Sequence, residues 1–165
     1  MIRPATTHDS VAIAEICNSY IRDTTITFEE QEVSNTEISK RIQEVNDSGL
    51  PWLVAIEAEK IIGYAYATKW KGRCAYRYSV ETSIYLDLSQ KSKGWGTRLY
   101  TELINALEPL NLHVVIGGIA LPNPQSVALH EKFGFKKVAH FQEVGFKFGQ
   151  WIDVGYWQKT IARDM

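Results

Sequence analysis

Residues 90–100 read QKSKGWGTRLY. Gly94 and Gly96 stand one residue apart, with Lys91 and Lys93 just before them. The run that follows places Leu99, Leu103, Ile104 and Leu107 on one side at helical spacing, which predicts a helix from about Gly94 to Glu108. Upstream, residues 80–87 alternate. Glu81, Ser83 and Tyr85 face one way and Val80, Thr82, Ile84 and Leu86 the other, as in a strand. A strand that turns through glycines into a helix leaves the first helical N–H groups without partners. Those groups and the helix dipole favour an anion, above all a phosphate. Glycine lets such a ligand approach the backbone closely.

Three phosphate-binding patterns compete for this loop. GxxxxGK[ST] is absent. The dinucleotide fingerprint GxGxxG fails at its third glycine, where Leu99 stands. The pyrophosphate loop of acetyl-coenzyme A transferases, [Q/R]xxGxG/A, is approached by Lys91-Ser92-Lys93-Gly94-Trp95-Gly96, with lysine in the first position. On these residues alone, a glycine-rich helix start with no ligand stays open.

Working outward, Ile2–Ala5 reads as a short strand, and Thr7 as the cap of a helix to about Arg22. Its apolar face would be Val11, Ile13, Ala14, Ile16, Cys17 and Ile21. The stretch DTTITFEE reads as a loop. Ser34-Asn-Thr-Glu37 is a capping box for a second helix using Ile38, Ile42 and Val45, which stops near Gly49. Trp52–Glu57 and Ile61–Trp70 form a hairpin about Ala58-Glu59-Lys60. After the glycine loop and its helix comes a strand, Val114–Ala120. Asn123-Pro124 then starts a helix ending at Phe133-Gly134-Phe135, and two β-rich segments close the chain. This order predicts a single domain over 1–165, an α/β (α+β) fold with a mostly antiparallel central sheet flanked by helices.

Composition narrows the function. The chain has 165 residues, 45% hydrophobic and 22% charged, with a net charge of −1. A single globular domain fits that length. No global basic field is present to recruit nucleic acid or anionic membrane, and no apolar run has the length of a membrane span. The first residues lack the apolar core of a signal peptide, and Cys17 and Cys74 match no metal or redox spacing. A cytoplasmic setting, without nucleic acid, membrane or metal, is therefore expected.

Four further stretches carry a resemblance. Asn123-Pro-Gln-Ser126-Val-Ala-Leu129-His130-Glu-Lys-Phe-Gly134-Phe135 resembles the signature NxxSxxLHExxGF. Tyr78-Ser-Val-Glu81-Thr-Ser-Ile84-Tyr85-Leu86 resembles the strand motif (T/S)VExSVYV. Gly145-Phe-Lys147-Phe-Gly149-Gln-Trp151-Ile-Asp153-Val resembles GxKxGxWxDV, and Thr25-Ile-Thr27-Phe28-Glu29 resembles TATFE. These are motifs of the GNAT superfamily of N-acetyltransferases, in its phosphinothricin and methionine-sulfoximine branch. They occur in the family's order from Ile2 to Trp157.

The resemblance implies acetyl transfer from acetyl-CoA to an amine by direct attack. An ammonium has no lone pair, so a base must take a proton. The resemblance points to Glu81 as that base. A solvated strand carboxylate, or a partner for Arg77, is the plainer reading. His130 stands where many relatives carry a proton-donating tyrosine; it can act as acid, base or orienting group, or simply bond within the fold. It is not part of a zinc motif, since no second histidine follows at HExxH spacing. Ile84, Tyr85 and Leu86 would offer backbone groups to the pantetheine arm. Lys91, Ser92, Lys93, Gly94, Trp95, Gly96 and Thr97 would wrap the pyrophosphate, and Asn123 and Ser126 would also face the cofactor, although Asn123 suits helix capping too.

For the substrate, Arg73 and Arg77 suit capture of a carboxylate or phosphinate. Phe28 and Tyr76 would wall a small pocket, and Lys147 would add charge. The branch implies a small amino acid analogue: phosphinothricin, methionine sulfoximine or methionine sulfone. It also implies a homodimer. Two other readings stay open: a protein or polyamine acetyltransferase, and a non-catalytic acyl-CoA sensor. A thiol route through Cys17 or Cys74 is disfavoured, because Cys17 reads as core and no histidine lies near Cys74 in sequence.

Overall fold

The computed structural model of the chain describes residues 1–90 and 93–161. Among the described residues, seven strands and four α-helices follow one another as β1 (Ile2–Pro4), α1 (Ser10–Asp23), α2 (Asn35–Asp47), β2 (Trp52–Glu57), β3 (Lys60–Lys69), β4 (Ser79–Leu86), α3 (Trp95–Leu107), β5 (Val114–Ala120), α4 (Pro124–Lys132), β6 (Lys136–Lys147) and β7 (Gln150–Thr160). The sheet order is β1-β2-β3-β4-β5-β7-β6. The pairings β1–β2, β2–β3, β5–β7 and β6–β7 are antiparallel, and β4–β5 is parallel. This is the mixed α/β architecture expected.

Contacts divide the chain into two compact units. The first holds residues 1–19, 32–68 and 83–110; the second holds 20–31, 69–82 and 111–165. In the first unit, β2 and β3 turn through Ala58 and Glu59, both left-handed at φ 46° and 62°. That makes a two-residue turn closed by the Glu57–Lys60 pair, one residue tighter than the sequence suggests. Its core joins Ile13, Ile38, Ile42, Val54, Ala65, Leu99, Tyr100, Leu103 and Leu107, all buried.

Two details of this unit differ from expectation. The cap before α1 is Thr6, whose amide donates to the Asp9 carboxylate at 2.8 Å, and a single 3-10 turn (Thr7–Asp9) precedes the helix. Val11 is 55% exposed. The stripe set by Ile13, Ile16 and Cys17 turns it outward, two residues from Ile13 and so on the opposite side of the helix.

In the second unit, β7 inserts between β5 and β6. Gly118 of β5 lies opposite Tyr156 of β7, and Ala139 of β6 opposite the same tyrosine. Val80, Val115, Ile119, Phe135, Ile152 and Trp157 form its buried core. The β4–β5 ladder is short. It runs Ser79–Val114, Val80–Val115 and Glu81–Ile116, and ends there.

Candidate active site

Glu81 stands at the last rung of the β4–β5 ladder, so strand alternation decides where its carboxylate points. In a parallel pair Glu81 and Ile116 share a face, and Gly118, two residues on, shares it too. Space at Gly118 is bounded accordingly. A Cβ placed there would lie 3.0 Å from Glu81 Oε1 and 3.0 Å from Cε1 of Tyr156. Burial pushes the Glu81 carboxyl up from its ordinary value, and the Lys71 charge partly opposes that. Lys71 lies over the Trp70 ring, 5.0 Å from its centroid. Arg77 is not the partner of Glu81. Its guanidinium donates to the Cys74 carbonyl at 2.9 Å and stacks on Tyr78.

His130 reaches the other face of β5. It projects from α4, whose start is fixed by Asn123: the side-chain oxygen accepts from the Ser126 amide at 3.2 Å, and Pro124 takes the first helical position. One turn on, the His130 ring is buried, edge-on to Phe135 at 5.2 Å. Nδ1 sits 2.7 Å from the Ser126 carbonyl, which can only accept, so Nδ1 carries the hydrogen. In the neutral ring Nε2 is then an acceptor. Nε2 lies 2.6 Å from where a Cβ of Gly117 would be, so that glycine makes room for the imidazole. Burial lowers the His130 pKa, and the bond to Ser126 only partly offsets it. Burial thus favours the neutral ring.

The early loop docks on β6 through two contacts. The Phe28 ring fills the place where Gly145 would carry a Cβ. Lys147, only 1% exposed, donates from Nζ to the Thr27 carbonyl at 2.8 Å. Burial pulls the Lys147 pKa down against the opposing pull of Glu30 and Glu29. Its ammonium is thus bonded to the loop backbone. Arg73, Tyr76 and Arg77 are exposed, about the short 3-10 turn Cys74–Tyr76.

In the first unit, Gly94 caps α3 in the left-handed region at φ 79°, where it makes no side-chain capping bond. The first turn of α3 carries no acidic side chain, and the first helical bond runs from the Arg98 amide to the Gly94 carbonyl at 3.2 Å. Gly94 thus gives the first turn of α3 no side-chain cap, and that turn presents the positive end of the helix dipole. Lys93 donates to the Gln90 side chain at 3.1 Å. Lys91 and Ser92 lie outside the described residues. Ile84, Tyr85 and Leu86 end β4; Leu86 and the Tyr85 carbonyl lie against Gly63, whose missing Cβ lets them in. Cys17 is buried and bonded to Tyr64, and Cys74 is exposed.

Residues 2–155 match the family described as acetyltransferase (GNAT) domain. The chain belongs to the GNAT acetyltransferases. It is 37% identical over 160 residues to phosphinothricin N-acetyltransferase of Streptomyces viridochromogenes, covering 97% of this chain and 87% of that protein. It is 32% identical to the L-methionine sulfoximine/L-methionine sulfone acetyltransferase of Salmonella typhimurium, covering 97% and 94%. Among solved structures, a GNAT phosphinothricin acetyltransferase of Sinorhizobium meliloti in complex with acetyl-CoA superposes with a TM-score of 0.95 at 34% identity, covering 98% of this chain and 88% of that one.

This GNAT chain is therefore an acetyl-CoA-dependent acyltransferase. Its co-substrate brings an acyl group already activated as a thioester. The start of α3, with a left-handed glycine cap and no acidic side chain in its first turn, suits the pyrophosphate of that molecule. Five residues near Glu81 or His130 escaped the sequence reading: Trp70, Lys71, Gly117, Gly118 and Tyr156. The adjacent glycines inside a strand were the available signal, since such glycines mark close approach by another group.

Proposed function

We propose that the chain transfers acetyl from acetyl-CoA to the amino group of a small amino acid analogue, by direct attack with both substrates bound. The substrate class is that of the named relatives: phosphinothricin, methionine sulfoximine or methionine sulfone. The observation that carries the reading is Glu81: a half-buried carboxyl of raised pKa at the end of a ladder, with a cation, Lys71, as its charged neighbour. Such a carboxyl is a better proton acceptor than a solvated one. Lys71 suits the anionic end of an amino acid analogue, alongside Arg73 and Arg77. Phe28 and Tyr76 wall the amine side. Lys147 serves through the Thr27 loop, which it holds, and so positions Phe28.

Amide formation from an ammonium releases two protons. Glu81 takes the first. Nε2 of His130, an acceptor in the neutral ring, takes the second and returns it to the departing sulfur. Gly94, Trp95, Gly96 and Thr97 hold the pyrophosphate by backbone amides, with Lys91, Ser92 and Lys93 preceding them. Ile84, Tyr85 and Leu86 pair with the pantetheine amides, and Asn123 and Ser126 support α4 beside it.

The whole chain acts as one domain, in the cytoplasm, as a homodimer. The dimer is supported by the apolar side chains that β6, β7 and their turn leave exposed: Phe141, Val144, Phe146, Phe148 and Trp151. Among the described residues no helix is long and apolar enough to cross a membrane.

The test is thiol release from acetyl-CoA over a panel of amines. Phosphinothricin, methionine sulfoximine and methionine sulfone are expected to turn over well above spermidine and a lysine-rich peptide. Turnover of spermidine or the peptide alone would move the reading to polyamine or protein acetylation. Tight acetyl-CoA binding with no turnover of any amine would make the chain a sensor.

A further inference from the structure

Glu81 shares the space above Gly118 with an aromatic ring from β7. Tyr156 lies directly across from Gly118, so its ring stands on the face that holds the Glu81 carboxylate. Gly118 offers no side chain between them, and both Glu81 Oε1 and Tyr156 Cε1 come within 3.0 Å of the point its Cβ would take. The ring is itself held edge-on from two sides. Trp70 meets it at 5.5 Å and 75°, and Phe141 at 5.8 Å and 82°. We propose that Tyr156 is a positioning residue for the base: its ring, clamped by Trp70 and Phe141, packs against the Glu81 carboxylate across Gly118 and keeps water off it. The proposal rests on the reading of Glu81 as base.

The ring rather than the hydroxyl carries this role. Aromatic carbon beside a carboxylate removes solvent and offers no hydrogen bond, which disfavours the ionised form. Burial is the leading cause of the raised Glu81 pKa, and the phenol hydroxyl is not among the groups acting on it. In turn, burial and then the Glu81 charge raise the Tyr156 pKa, so the phenol stays protonated while Glu81 ionises. The charged or ionisable groups facing Glu81 are Lys71, from the segment after β3, and Tyr156, from β7. β5 presents Ile116 and Gly118 on this face, neither ionisable, and His130 reaches its other face. A benzene ring is therefore what the site requires at this position, and a phenylalanine would serve.

Tyr156→Phe and Tyr156→Ala separate the ring from the hydroxyl. Two readouts are taken on each: the carboxyl ¹³C titration of Glu81 by NMR, and the acidic limb of kcat/KM against pH. In Tyr156→Ala both are expected to move to lower pH. The kcat should fall by less than the roughly 10²–10⁴ expected on losing a general base. Tyr156→Phe should keep both at their wild-type positions. Trp70→Ala, which releases one side of the clamp, should shift them in the same direction and serves if Tyr156→Ala does not fold.

A Glu81 titration that stays in place in the folded alanine variants would overturn the proposal. So would Tyr156→Phe shifting it as far as Tyr156→Ala. A rise in amine KM with the titration unmoved would also overturn it, assigning the ring to ammonium recognition. Failure of the base reading is seen separately: the acidic limb would then persist in Glu81→Gln, whatever the NMR titration shows in the tyrosine variants.

Discussion

Burial moves the pKa values of Glu81 and His130 in opposite directions and favours the neutral form of each. Glu81 has a folded pKa above its unfolded value, so the fold favours its neutral form. The stability this contributes is present below the unfolded pKa and is lost as pH rises through the folded one. His130 has a folded pKa below 6.5, and the fold again favours the neutral form. Here the unfolded chain binds more protons, so stability falls as pH drops below 6.5 and levels off below the folded pKa. One proton limits that slope to about 1.4 kcal/mol per pH unit. Urea unfolding at pH 5–8 checks both signs. His130→Phe should flatten the loss on acidification below pH 6.5, and Glu81→Gln should unfold at higher urea than wild type at pH 7. Each substitution would lower turnover while removing a charged form that the fold disfavours.

At the scale of elements, α3 begins on a residue that only glycine adopts readily. Gly94 has φ 79°, and an added Cβ would meet nothing within 4 Å. A substitution there is opposed by backbone conformation alone. Gly94→Ala should cost about 1–2 kcal/mol in urea unfolding and weaken acetyl-CoA in a calorimetric titration, because the leading amides of α3 turn away. Unchanged affinity would contradict the anion role of this helix start. The element was legible because its signals are local: two glycines, then Leu99, Leu103, Ile104 and Leu107 at helical spacing. The Ser34 cap and the span Val114–Ala120 were legible for the same reason. The Thr6 cap was missed because it depends on Asp9, which Arg3 of β1 grips at 2.8 Å, and a threonine at either position looks alike in sequence.

For the molecule as a whole, strand alternation gave faces but not neighbours. The segment 150–160 reads equally well beside 136–147 or beside 114–120, and in the fold it pairs with both. That insertion places Tyr156 opposite Gly118, so the approach of Tyr156 and Glu81 to the same glycine could not be read from a sequence separation of 75 residues. Motif residues such as Glu81 and His130 were found by resemblance; the residues that condition them come from pairing. The exposed hairpin belongs to this scale too. Light scattering should give twice the chain mass of 18.8 kDa, and Phe146→Glu with Trp151→Glu should give one chain mass. A monomer in the unaltered protein would contradict the dimer.

The account turns on Glu81 taking the proton of the amine, and the pH dependence of thiol release with wild type and Glu81→Gln tests this most directly. Gln keeps the shape and removes the basicity. In wild type, kcat/KM should rise with pH to a plateau as the carboxyl ionises. In Glu81→Gln that limb should vanish and the rate at pH 7 should fall by roughly 10²–10⁴, with amine KM little changed. Near-full turnover of the variant at pH 7, with the limb intact, would contradict the account and make Glu81 a structural carboxylate.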